Sequence, residues 1–186
     1  IKVLDVGSCY NPLASPIVEA KNEGEGTDNT ACVLDVTAID LCPAHPSVLK
    51  CDFLTVGVHD PVSGGNEVIV GEDGVISLPM RSYDVVTMSL VLSYLPNPEA
   101  RACMIQKARA LLRPAADLSD HAPHYSGLLL IIEKISILHP SNCQPTKLPA
   151  SSPQNVVIPS VSMWKEAIED MGYSSVVYHL LSFQGA

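Results

Sequence analysis

The first eight residues, Ile1-Lys2-Val3-Leu4-Asp5-Val6-Gly7-Ser8, are an apolar run closed by an acid, one spacer and a glycine. Such a run suits the interior of a parallel sheet, where strands are buried on both faces. Its tip carries Asp5 at the strand end, where open α/β sheets bind ligands. Gly7 has no Cβ, so a ligand can come close to the backbone. No second glycine follows in Ser8-Cys9-Tyr10-Asn11-Pro12. The G-x-G-x-x-G fingerprint that seats a pyrophosphate is therefore absent. This disfavours NAD and FAD and favours a nucleoside without phosphates, such as S-adenosylmethionine.

Further apolar segments repeat the pattern. Val33 to Leu41 reads as a second strand ending in Ile39-Asp40-Leu41, and Val48 to Phe53 as a short third. Tyr83 to Leu90 is the clearest buried strand, Gly127 to Ile137 a central one, and Tyr173 to Phe183 the last. Helical spacing appears twice. Glu99 to Leu112 carries Cys103, Ile105, Ala108, Leu111 and Leu112, with Asn97 as cap, Pro98 in the first turn and Arg113-Pro114 at its end. Ser162 to Met171 carries Met163, Trp164, Ala167, Ile168 and Met171, and Gly172 stops it. The rest reads as connections. These are Asn11 to Asn29 with a helical turn at Ser15 to Lys21, an irregular insertion at Gly57 to Gly74, and loops at Ala115 to Ser126 and His139 to Pro159. Strands alternating with helices imply an α/β fold, a doubly wound and mostly parallel sheet with crossover connections. At 186 residues the chain is one domain, 1–186.

Composition excludes several classes. No apolar run reaches the ~18 residues that span a bilayer, and the chain is not predicted to be a membrane protein. Six cysteines at 9, 32, 42, 51, 103 and 143 form no C-x-x-C pair and sit singly in apolar segments, as reduced structural thiols do. Cys42-Pro-Ala-His45 and His121-Ala-Pro-His124 have usable spacings, but each lacks the partner pair of a closed site, so no metal is predicted. The net charge is −9 and the isoelectric point about 4.9. That balance is a poor electrostatic partner for nucleic acid.

The chemistry concentrates at strand ends. Asp5, Asp40 and Asp52 close three successive strands. An acid at the tip of the second strand can accept both ribose hydroxyls of an adenosine. One just after the third can accept the adenine amino group, with Phe53 or Leu54 against the ring. Ser89 and Leu90 end the fourth strand, where the methionine moiety and an acceptor would meet.

These stretches together resemble a Rossmann-like class I methyltransferase. "AIDLCPAHPSVLKCDFL" (Ala38 to Leu54) and "YDVVTMSLVLSYLPNPEARACMIQKARALLRP" (Tyr83 to Pro114) are similar to the eukaryotic 25S rRNA adenine-N(1) methyltransferase family, which includes a metazoan S-adenosylmethionine-sensor branch. "GLLLIIEK" (Gly127 to Lys134) and the helix from Met163 to Tyr173 continue the likeness. The resemblance implies S-adenosylmethionine as cofactor and S-adenosylhomocysteine as product. Asp5, Gly7, Ser8, Asp40, Leu41, Asp52, Phe53, Ser89 and Leu90 would bind it. It also implies an N-terminal helical region that this segment lacks. "TDNTACVLDVTAIDL" (Thr27 to Leu41) and His45-Pro46 resemble the enzyme branch, whose partner is ribosomal RNA and whose place is the nucleolus. "LDVGSCYNP" (Leu4 to Pro12) and Leu49-Lys50-Cys51-Asp52-Phe53-Leu54 resemble the sensor branch, which the acidic charge also favours. That branch acts through signalling proteins of the TOR pathway in the cytoplasm or at the lysosome.

For the enzyme, adenine N1 offers an in-plane lone pair, so positioning and desolvation supply most of the rate. The Asp/Asn-Pro-Pro-aromatic signature of exocyclic-amine methylation is replaced by Ser89-Leu90-Val91-Leu92. Ser93 and Tyr94 border the acceptor side and are the candidate catalytic residues, Tyr94 packing near the base or serving the core. A base in folded RNA would have to be flipped out, at a few kcal/mol. A Gly7→Arg change is expected to fill the cofactor pocket. A methyltransferase for small molecules or proteins would use the same pocket.

Overall fold

In a computed structural model, residues 1–14, 33–114, 127–134, 137 and 161–179 are described. Five strands form one all-parallel sheet in the order β3-β2-β1-β7-β8. They are β1 (Lys2–Val6), β2 (Asp35–Asp40), β3 (Leu49–Lys50), β7 (Val85–Ser89) and β8 (Leu128–Ile132). The chain runs outward from β1 through β2 to β3, then returns to the other side of β1 as β7 and β8. Strand order reverses between β1 and β7, and a crevice opens there at the carboxyl ends. This is the doubly wound α/β architecture expected from the sequence.

The core explains why these segments pair. Leu4, Val6, Ile39, Val86 and Met88, from the three central strands, are buried together. Helix α2 (Pro98–Leu111) covers the sheet with Met104, Ile105, Ala108 and Leu111, each large side chain contributing ~1.5–3 kcal/mol by burial. Asn97 caps it, its side chain accepting the Ala100 N–H at 2.8 Å. Cys103 is not part of the apolar stripe but is exposed, as is Cys42. Arg101 occupies the in-phase buried position instead. Helix α3 (Val161–Asp170) packs on the core through Trp164 and Ile168, with Met171 beyond its end, while Met163 and Ala167 face outward. Gly172, at φ +89, ends it.

The insertion at 57–74 is ordered rather than irregular. Strands β4 (Gly57–His59), β5 (Ile69–Gly71) and β6 (Gly74–Pro79) make a second sheet in the order β4-β6-β5, and a single helical turn, α1 (Pro61–Gly64), follows β4. β5 and β6 are an antiparallel hairpin closed at Glu72-Asp73. Gly74 has φ +134, and a Cβ there would lie 2.3 Å from the Lys50 carbonyl oxygen. Glycine thus lets the hairpin abut the edge strand β3.

Two other expectations are corrected. β8 is the last strand of the sheet among the described residues, not a central one, and Leu128, Leu130 and Ile132 are exposed on one face. Of the last strand expected at Tyr173 to Phe183, residues 173–179 form none, because no described strand pairs with them and Ser175 turns at φ +57, while 180–183 lie outside the described residues. The third strand shrinks to two residues because Asp52 starts a turn, its carbonyl accepting the Thr55 and Val56 N–H groups. The helical turn at 15–21, the loops at 115–126 and 139–159, and the pair His121 and His124 lie outside the described residues.

Candidate functional site

The crevice is built around the loop after β1. The Gly7 and Ser8 N–H groups both donate to the Ile39 carbonyl, at 2.9 and 3.1 Å, so the chain turns sharply over the end of β2. The turn needs left-handed backbone at Gly7 (φ +76), Cys9 (φ +52) and Asn11 (φ +56), and Leu90 at the end of β7 is likewise at φ +58. Non-glycine residues in that region store strain, which gathers at functional sites.

Asp5 is only 4% exposed and accepts the Thr87 hydroxyl at 2.5 Å. It therefore ties β1 to β7 beneath the crevice. A Cβ on Gly7 would meet the Val91 side chain at 3.0 Å. A Gly7→Arg change would displace Val91 and strain the backbone before any ligand is considered, contrary to the simple filling expected from sequence. The Ser8 hydroxyl and the Asn11 side-chain oxygen are buried with no hydrogen-bond partner among the described residues. Buried polar atoms of this kind are normally satisfied. Two orphans in one loop fit a ligand with polar edges.

Asp40 joins the two loops of the crevice. Its Oδ2 accepts the Cys9 N–H at 3.0 Å and its Oδ1 the Cys42 N–H at 2.7 Å. Each oxygen keeps a free lone pair for a ribose hydroxyl. Leu41, next in sequence, is exposed. Asp52 is exposed, with Oδ1 accepting the Leu54 N–H at 3.0 Å. Phe53 is a core residue, with the Lys107 ammonium 5.8 Å above its ring, and this leaves Leu54 as the exposed apolar neighbour of Asp52. Lys107 also donates to the Leu54 and Val56 carbonyls at 2.8 and 2.7 Å, pinning this loop to α2. Burial lowers the Lys107 pKa. A cleft of ≈ 380 Å³ lies between Leu41, Asp52 and Thr55 on one side and Gly74 to Ile76 on the other. Asp5, Gly7 and Ser89 do not line it.

On the acceptor side, Ser89 is exposed and the Leu90 N–H donates to the Ile132 carbonyl at 2.7 Å. Ser93 and Tyr94 lie in a 3₁₀ turn, Leu92–Tyr94. Tyr94 is 83% exposed, so the core-packing role is excluded. Two residues that the sequence reading missed clamp this turn. Glu133 Oε1 accepts the Leu92 N–H at 2.6 Å and the Ser93 N–H at 3.3 Å. The buried Arg101 donates to the Leu92 and Leu95 carbonyls at 3.2 and 3.1 Å. Both carried a signal. Glu133 is an acid directly after a strand, and Arg101 is a charged residue in phase with an apolar helical stripe.

His45 Nδ1 is 2.8 Å from the Ser47 hydroxyl, within its own turn. Among the described residues no group of three or more His, Cys, Asp or Glu side chains could hold a metal ion, and no helix is long and apolar enough to cross a membrane.

The sheet order, the glycine turn after β1 and the acids at the strand ends define a Rossmann-like fold of the class I methyltransferase type. Within that class the chain resembles one family: residues 74–143 match the model of the 25S rRNA (adenine(2142)-N(1))-methyltransferase, Bmt2. It is also 33% identical to a Xenopus tropicalis protein named "S-adenosylmethionine sensor upstream of mTORC1", over 99% of this chain and 38% of that protein. The Xenopus laevis and Danio rerio proteins of the same name are 32% and 29% identical, again over 99% of this chain. The chain thus spans 38% of the length of the Xenopus proteins and 39% of the Danio protein.

Proposed function

We propose that this domain binds S-adenosylmethionine at the carboxyl ends of β1, β2 and β7. We further propose that the protein containing it methylates N1 of an adenine in large-subunit ribosomal RNA, in the nucleolus. The observation that carries the binding is the buried Ser8 hydroxyl, without a partner among the described residues, in a loop held by Asp40. The ligand would supply the sulfonium methyl group. Asp40 would hold the ribose, Asp52 the adenine edge and Leu41 and Leu54 its faces. The clamp on the Leu92–Tyr94 turn would hold the exposed Tyr94 ring where a flipped base could stack on it.

The relatives and the charge of −9 favour a second reading. In it the same crevice reports S-adenosylmethionine to signalling proteins in the cytoplasm or at the lysosome, with no transfer. Calorimetry of S-adenosylmethionine and S-adenosylhomocysteine, comparing the native protein with Asp40→Ala, tests the shared step. Saturable binding lost in the variant is expected. Absence of binding by the native protein sinks both readings. Methyl transfer to ribosomal RNA then separates them, since a sensor transfers none.

A further inference from the structure

The opposite end of the sheet holds a second cleft. Arg81 precedes β7, Arg109 lies in the last turn of α2, Arg113 follows that helix, and Ser174 lies beyond α3. All four line one cleft of ≈ 440 Å³. The location is fixed by the amino ends of β7 and β8, where the Leu128 N–H donates to the Asp84 carbonyl and the Asp84 N–H to the Lys2 carbonyl. It is therefore remote from the crevice at the carboxyl ends.

The chain has 11 Lys and Arg against 20 Asp and Glu, yet no acidic residue lines this cleft among the described residues. The three guanidinium groups are not equivalent. Arg113 is paired with Asp84 and also donates to the Ser82 carbonyl. Arg109 lies against the backbone of Gly172, donating from Nε to its carbonyl at 3.1 Å. A Cβ at residue 172 would sit 2.7 Å from the Arg109 Cζ, so glycine there permits this placement. Arg81 is exposed, and its guanidinium has no hydrogen bond or ion pair among the described residues. Its backbone is left-handed at φ +53, as is that of Ser175 beside the cleft at φ +57. Asp84 already pairs with Arg113, so Arg109, held against the Gly172 carbonyl, and Arg81, without a partner among the described residues, are the two guanidinium groups left to receive a compact dianion, because the guanidinium fork matches phosphate oxygens in pairs.

We propose that this cleft binds the phosphate monoester of a small molecule. Its size suits one phosphate with a sugar-sized body. A polyanion crossing the same face would also meet the acidic remainder of the surface, which disfavours RNA here.

The test is calorimetry of the intact protein with inorganic phosphate, ribose 5-phosphate, ribose and a short RNA oligonucleotide. Arg81→Gln is compared with Lys165→Gln, an equal charge change on α3. The Arg81 side chain has no partner to lose among the described residues, so the variant should melt with the native protein. Ribose 5-phosphate should bind saturably, ribose should not, and Arg81→Gln should weaken binding roughly tenfold while Lys165→Gln leaves it unchanged. No saturable binding overturns the assignment. So does equal weakening by both variants, which would mean bulk charge alone. RNA binding that depends on Arg81 without binding of ribose 5-phosphate overturns it in favour of a phosphodiester track.

Discussion

Glu133, directly after β8, accepts the N–H of Leu92 at 2.6 Å, across 41 residues of sequence. One carboxylate oxygen thereby holds the turn that presents Ser93 and Tyr94, while the other is buried without a partner among the described residues. β8 and the acceptor side are coupled through this contact.

Replacing Glu133 by alanine leaves the buried amide of Leu92 unpaired, at a cost of ~1–3 kcal/mol. Thermal melting should show the loss, and Glu133→Gln, whose amide oxygen still accepts, should recover most of it. If transfer to RNA occurs, Glu133→Ala should reduce it far more than it reduces S-adenosylmethionine affinity. An equal fall in both would show that Glu133 supports the cofactor side instead.

Ser8→Ala removes a hydroxyl that has no hydrogen-bond partner among the described residues. Stability should change by no more than ~0.5 kcal/mol. Affinity for S-adenosylmethionine should fall roughly threefold to tenfold, the worth of one neutral hydrogen bond. Unchanged affinity would show that the hydroxyl faces no ligand.

Cys51 is buried beside Asp52, and burial first, then the Asp52 charge, push its thiol up from 9.0 to about 11. The folded state therefore holds this proton more tightly than the unfolded chain. Its contribution is complete below pH 9.0 and is lost as pH rises towards 11. Melting temperature followed across this window should decline less steeply in Cys51→Ala than in the native protein. At pH 8, thiol reagents should modify the exposed Cys42 and Cys103 quickly and Cys51 only on unfolding.

Gly74→Ala places a Cβ 2.3 Å from the Lys50 carbonyl oxygen at a backbone angle of φ +134. The strain should cost about 1–3 kcal/mol and undock the β5–β6 hairpin from β3. Chemical denaturation reads the cost. Faster amide exchange in β5 and β6 than in β1 would locate it in the insertion.

Legibility followed the range of the interactions involved. The hairpin at 69–79 was written in the sequence as two β-branched runs flanking Gly71-Glu72-Asp73-Gly74, a turn pattern in its own right. The surrounding Gly and Pro residues mask that signal, because the same residue types mark loops. Tyr94 was ambiguous from sequence, since a tyrosine in an apolar stretch suits core and surface alike, and only packing puts it in solvent. Phe53 shows the reverse, a ring read as a lid that the core takes up.

By itself the sequence determined what depends on near neighbours and on periodicity. That covers apolar strands closed by acids, two helices with their caps, and a glycine turn with no pyrophosphate seat. Tertiary structure decided what depends on partners far apart in the chain. Asp5 was drawn inward because Thr87 on the neighbouring strand offers it a hydroxyl. Glu133 and Arg101 became a clamp because β8 and α2 bring opposite charges to the two ends of one turn. Arg81, Arg109 and Arg113 converge because the chain passes the amino ends of β7 and β8 twice, and nothing in their spacing foretells that meeting.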